Sequence, residues 1–259
     1  MKNEDKSRHA MKTTILISLA FILSCCMRVA ETQQQEGNGT QNLQADSVYK
    51  LDSAIVEKPF VPDDSMIIEE KLFKNLSYTH NFKLISYGYD DGFGFIRETD
   101  WVIVVYDKKN NLLDSVHQYT LLYSENIFKN PNNYRSFITG VNKNKWNLDH
   151  SGYFIVADFN FDKKEDFAII NEEANGGSRY SFYVQQDDNK FILDIFLTDS
   201  VFYCPAKIDI KNRRLTTYAR SGCCWFGEHI CELDKTNKWK RSYKEIDAGT
   251  GEVTYEKEW

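Results

Sequence analysis

The chain has 259 residues, with 32 Lys and Arg against 38 Asp and Glu and a formal net charge of −6. That acidic balance argues against a nucleic-acid partner, because neutralising phosphate is the main source of such binding. Aromatic residues make up 14% and prolines number only 4, which suits packed sheets and one domain with a real core.

Behind Lys12, residues 13–23 form an apolar run of eleven. A bilayer core of about 30 Å needs roughly 20 apolar residues in a helix, so residues 1–24 read as a signal peptide, with Met11 as an alternative start. The run ends Ile22-Leu23-Ser24-Cys25, and this junction resembles the lipobox of bacterial lipoproteins. The likeness implies an acylated Cys25 as the membrane anchor, with plain secretion as the alternative. Residues 25–66 are rich in Gln, Glu, Asn, Asp and Ser and show no apolar period, so they read as a polar tether that cannot bury enough surface to offset its ordering entropy. Without residues 1–24 the chain keeps 28 basic and 36 acidic side chains, a net of −8.

Residues 67–259 read as a single β-rich domain. Short apolar or alternating runs recur at 82–89, 101–106, 115–123, 153–157, 167–170, 180–185, 191–196, 207–210, 215–219, 229–233 and 239–243. Turn residues separate them, as at 90–92, 107–111, 186–189, 211–213 and 234–237. This rhythm predicts an antiparallel all-β fold, a sandwich or a partly closed barrel. Only 69–76 and 123–130 look briefly helical.

Between the apolar runs 153–157 and 167–170 lies Asp158-Phe-Asn160-Phe-Asp162-Lys-Lys-Glu-Asp166. Oxygen-bearing side chains at alternate positions suit calcium, which takes six to eight oxygens at roughly 2.3–2.6 Å. Asp158, Asn160, Asp162 and Asp166 would supply side-chain oxygens and Lys164 its backbone carbonyl. The sixth position is Lys163 instead of the usual glycine, and position twelve is Ile169 instead of a bidentate Glu, so a strand-loop-strand site is expected rather than an EF-hand. A turn closed by Asp and Asn side chains without metal is the alternative.

Next comes Asn175-Gly176-Gly177-Ser178-Arg179-Tyr180, equipped with loose backbone, hydrogen-bond donors and an aromatic ring for contact with a partner; a plain hairpin connection is the alternative. Cys204, Cys223, Cys224 and Cys231 follow, and an exported chain suits disulfides. Neighbouring cysteines on a strand face opposite sides, so Cys223 and Cys224 would take separate partners, Cys204 and Cys231. Zinc is the weaker alternative, since the paired C-x₂-C spacing is missing.

The order of strand, Asp-x-Asn-x-Asp loop, strand, Gly/Ser/Tyr loop and Arg220-Ser-Gly-Cys-Cys-Trp225 resembles bacterial periplasmic proteins related to the I-type lysozyme inhibitors. That group includes lipoprotein immunity proteins that block peptidoglycan-hydrolase toxins. The resemblance spans roughly residues 151–239. It implies a β-sandwich-like domain with bound calcium, an envelope hydrolase as partner, and a loop entering the hydrolase cleft. That loop would be residues 176–180, or Ser221-Gly222 with Trp225. No catalytic residue is expected: Glu172/Glu173 and Asp187/Asp188 are strand neighbours, the five histidines form no H-E-x-x-H array, and no G-x-S-x-G elbow occurs. A glycan-binding module stacking sugars on Trp146 and Trp225, or a purely structural lipoprotein, are the competing functions.

Overall fold

In the computed structural model, residues 62, 64–93, 95–124, 128–144, 152–174, 177–201, 203–222 and 224–259 are described. The signal peptide, Cys25 and nearly all of the tether lie outside these residues, as do Trp146, Asn175, Gly176 and Cys223.

The first four strands, β1 (Ile67–Phe73), β2 (His80–Asp90), β3 (Ile96–Asp107) and β4 (Leu112–Ser124), form an antiparallel meander. Alternation explains it: Phe82 and Leu84 on β2 and Trp101, Ile103 and Val105 on β3 point inward and are fully buried. After the 3₁₀ turn Pro131–Asn133 come β5 (Tyr134–Ser136), β6 (Phe154–Ala157), β7 (Asp166–Ala174), β8 (Gly177–Gln185) and β9 (Phe191–Leu193). β7 joins β4 through one parallel pair, Leu121↔Glu172, giving a nine-stranded sheet. A short helix, α1 (Ile195–Ser200), leads to a second meander of β10 (Pro205–Asp209), β11 (Arg214–Ser221), β12 (Trp225–Leu233), β13 (Trp239–Asp247) and β14 (Val253–Glu258).

The fold is therefore all-β and sandwich-like, with open sheets. One core serves both meanders, since Leu215 and Cys231 of the second belong to the same buried cluster as Phe82 of the first and Phe154 of β6. Its centre is aromatic, with Phe82 edge-on to Phe154 at 5.3 Å and to Phe167 at 5.8 Å. Each such ring, fully buried, contributes about 1.5–3 kcal/mol. Among the described residues no helix is long and apolar enough to cross a membrane.

Two expectations about helices are corrected. Residues 67–73, Ile-Ile-Glu-Glu-Lys-Leu-Phe, form the edge strand β1, because pairing with β2 lets Phe73 enter the core while Glu70 and Leu72 face out. Residues 121–124 continue β4 instead of starting a helix. The helix that does form, α1, was read as the end of a strand; Asp194 caps it by accepting from the Leu197 amide at 2.8 Å.

Candidate functional site

The oxygen-rich segment is the loop between β6 and β7, as the strand-loop-strand reading requires. Its backbone wraps Asp158: Oδ1 accepts from the Asp162 amide at 3.0 Å and Oδ2 from the Lys163 amide at 3.0 Å. Asn160 Oδ1 accepts from the same Asp162 amide at 3.1 Å, and Asp162 Oδ1 accepts from the Lys164 amide at 2.8 Å. Asp158, Asn160 and Asp162 are thus drawn toward one another. Lys163 holds φ +74°, the left-handed conformation normally given to glycine at this position.

Asp166 opens β7 and behaves differently. Its buried carboxylate bridges two amides, accepting from Phe159 and Gln185 at 2.9 Å each, so it ties the loop to the end of β8. Burial raises its pKa to about 8, with repulsion from Asp162 and Asp158 adding to the rise and the amide bonds opposing it. Asp158 is raised too, first by burial and then by Asp162, again against its amide bonds. Lys164 directs its ammonium to Asp187 at 2.6 Å and lies 3.9 Å from Asp162 Oδ2.

A wrapped Asp158, held up in pKa by burial and by the neighbouring Asp162 carboxylate, suits a cation; yet among the described residues no three Asp, Glu, His or Cys side chains group closely enough to hold a metal. An ion would therefore draw on Asp158, Asn160, Asp162 and the Lys164 carbonyl, with Asp166 bracing the loop from within.

Beside the loop lies a polar knot that sequence reading missed. Glu165 accepts from the hydroxyls of Ser77 and Thr79 and from the amides of Tyr78 at 3.1 Å and Thr79 at 3.3 Å, with His80 Nδ1 at 3.5 Å. Burial alone would raise its pKa, but the bonds from His80, Ser77, Thr79 and Tyr78 outweigh it and take the carboxyl down to about 2. From the other side, Lys108 Nζ donates to the carbonyls of Lys74, Ser77 and His80 at 3.0, 2.7 and 2.7 Å. The β1–β2 turn is thereby clamped between a carboxylate and an ammonium. A cleft of about 420 Å³, lined by Thr79, His80, Asp107, Lys163, Lys164 and Gln185 among others, opens next to it. The partners are 86–88 residues apart in sequence, and no local pattern announces them.

The partner-binding segment is a hairpin arm more than a free loop. Gly177, Ser178 and Arg179 pair with Ala174, Glu173 and Glu172 within β7–β8. Arg179 is exposed and lies 3.8 Å from Glu172. Tyr180 is fully buried and donates its hydroxyl to the Gly152 carbonyl, so it anchors the arm and offers no contact surface. Strand rise places this tip about 25 Å from Asp166 at the other end of β7, so the loop braces the base of the hairpin and not its tip.

The expected disulfides are not seen among the described residues, and Cys223 lies outside them. Among the described residues no two cysteines are bonded; Cys204 and Cys231 are buried and Cys224 is exposed. Cys224 precedes β12 whereas Cys231 sits near its far end, roughly 23 Å away by strand rise. Cys204 and Cys231 are separated by the whole of β11, roughly 9.5 Å, beyond the ~7 Å between Cα atoms that a disulfide tolerates. Cys204 Sγ meets the Arg135 guanidinium at 3.1 Å, and burial raises the Cys231 thiol to about 11.

No family model matches the chain, and no curated protein matches it. Among solved structures, one described as a Xanthomonas Type IV secretion system related protein is similar, with a TM-score of 0.41 and 16% identity over 74% of this chain and 99% of that one. The likeness to lysozyme inhibitors read from the sequence has no counterpart in these matches.

Proposed function

We propose that this chain is a lipid-anchored binding protein of the bacterial cell envelope that blocks a lysozyme-like peptidoglycan hydrolase and acts by binding rather than by catalysis. The anchor is Cys25, the reach comes from residues 25–66, and the contact is the start of β8, with half-buried Ser178 and exposed Arg179. Calcium in the loop 158–166 is the staple that stiffens the base of that hairpin.

One observation supports this reading: Lys163, at the sixth position of the loop, holds a left-handed conformation with its amide donating to Asp158, although a lysine stands where a calcium loop usually has glycine. Such strain persists where the surroundings demand it. It supports the cation, and with the cation the likeness to the inhibitor group. A glycan-binding role draws its support from Trp225, which is 40% exposed.

The test is a pull-down from envelope extract with and without calcium, followed by hydrolase assays. Capture and inhibition should weaken in Arg179→Ala and Ser178→Ala. Full inhibition by a protein lacking residues 176–179 removes the proposed contact. Because calcium binds the native loop better than the open chain, chelation should lower the melting temperature, and Asp158→Ala with Asp162→Ala should abolish that response. Melting that ignores both calcium and chelator rules the staple out.

A further inference from the structure

The sequence Trp101-Val-Ile-Val-Val-Tyr106 is apolar at every position, the pattern of a strand covered on both faces. Its inward residues fill the core, while Val102 and Val104 point to the opposite face of β1–β4. There they stand beside Ile85 on β2 and between Ile68 and Leu72 on β1 and Tyr119 on β4, which are 55%, 43% and 58% exposed. Two polar pairs lie on this face: Lys83 meets Glu70 at 2.7 Å, and His117 meets Asp100 at 2.7 Å.

We propose that this outer face of β1–β4 is the interface of a two-fold dimer of the chain. The register supplies the argument. Across the sheet one row reads Glu70, Ile85, Val102, His117, and the next reads Ile68, Tyr87, Asp100, Tyr119. A two-fold axis parallel to the strands lays β1 over β4 of the second copy and β2 over β3. Each row then meets its own reverse: Glu70 faces His117, Ile85 faces Val102, Ile68 faces Tyr119 and Tyr87 faces Asp100. In these two rows acid meets base, phenol meets carboxylate and hydrocarbon meets hydrocarbon, the self-complementarity an isologous interface requires; in the third row, Leu72, Lys83, Val104 and Ser115, the Lys83 stem meets Val104 while its ammonium stays on Glu70. Four strands span roughly 19 Å and the eleven residues of β2 roughly 36 Å. That area is of the order of the ~800 Å² each partner of a stable dimer covers. Two sheets stacked at about 10 Å would bury it as in a sandwich. None of the residues proposed to contact a hydrolase is used.

Sedimentation of the full chain in detergent tests the idea. A dimer is expected, and Tyr119→Lys should weaken it by more than about tenfold, the effect of burying one uncompensated charge against Ile68. Both positions are exposed in the single copy, so the variant keeps its fold, checked by its melting curve. The double variant Glu70→Cys/His117→Cys should be linked between copies by a short bifunctional thiol reagent that spans the two stacked sheets, a link that neither single variant forms, because within one copy these positions are three strands apart. A monomer at every concentration overturns the proposal. So does a dimer indifferent to Tyr119→Lys, a dimer without the double-cysteine link, or a face occupied by another envelope protein or by the chain's own N-terminal residues.

Discussion

At the scale of single residues, the strongest constraint sits where local preference is overruled. Lys163 holds φ +74°, a conformation that costs an L-residue about 1–2 kcal/mol, while glycine there loses about 0.5–1 kcal/mol to its freer unfolded chain. Lys163→Gly should therefore raise stability by about 0.5–1 kcal/mol, read as a higher melting temperature without calcium. Glu165 carries a clear pH signature. Its folded pKa of about 2 lies below its ordinary 4.5, so its contribution is complete above pH 4.5 and is lost as pH falls toward 2. With its side chain 11% exposed, that contribution is about 2–3 kcal/mol. Denaturant titrations across pH 4.5 to 2 should show this acid limb in the natural protein and a flatter one in Glu165→Gln.

At the scale of elements, the hairpin separates anchor from contact. Tyr180→Ala should cost about 3–4 kcal/mol through lost packing and the lost bond to Gly152. Any loss of partner binding in that variant would follow from unfolding. Arg179→Ala should leave melting within about 0.5 kcal/mol, and parallel melting and binding curves on the two variants distinguish the roles. Much of this layer was legible in the sequence, because inward and outward residues alternate along β2 from Phe82 onward and Asp closes the turns that follow β3 and β12. β1 was misread because Ile-Ile-Glu-Glu-Lys-Leu-Phe satisfies a helical period as well as an alternating one, and only its pairing with β2 decides. α1 was missed because six residues beginning Ile-Phe-Leu look like strand; Asp194 three residues before Leu197 was the available signal. The Glu165 knot was beyond reach, since it depends on which turn the tertiary fold brings to the loop.

At the scale of the molecule, the loop, α1 and the second meander meet on one side chain. Trp239 stacks on Phe196 at 5.2 Å and leans on Phe161 of the loop at 6.0 Å. Trp239→Ala should cost about 3 kcal/mol, and hydrogen exchange should quicken in residues 158–166 as well as in β13. The nine-stranded sheet itself is continuous through one backbone pair, Leu121↔Glu172. What binds its two halves is side chains: the contact of Phe82 with Phe154, Phe167 and Phe191, the hydroxyl of Thr120 on the Asn171 carbonyl, the Tyr183 hydroxyl on Gln118, the Phe191 amide on Asp114 and the Glu165 knot on the β1–β2 turn. Ladders of amides hold each half within itself. The seam should consequently yield first as denaturant is added, with β4 and β7 parting while each half keeps its own strands.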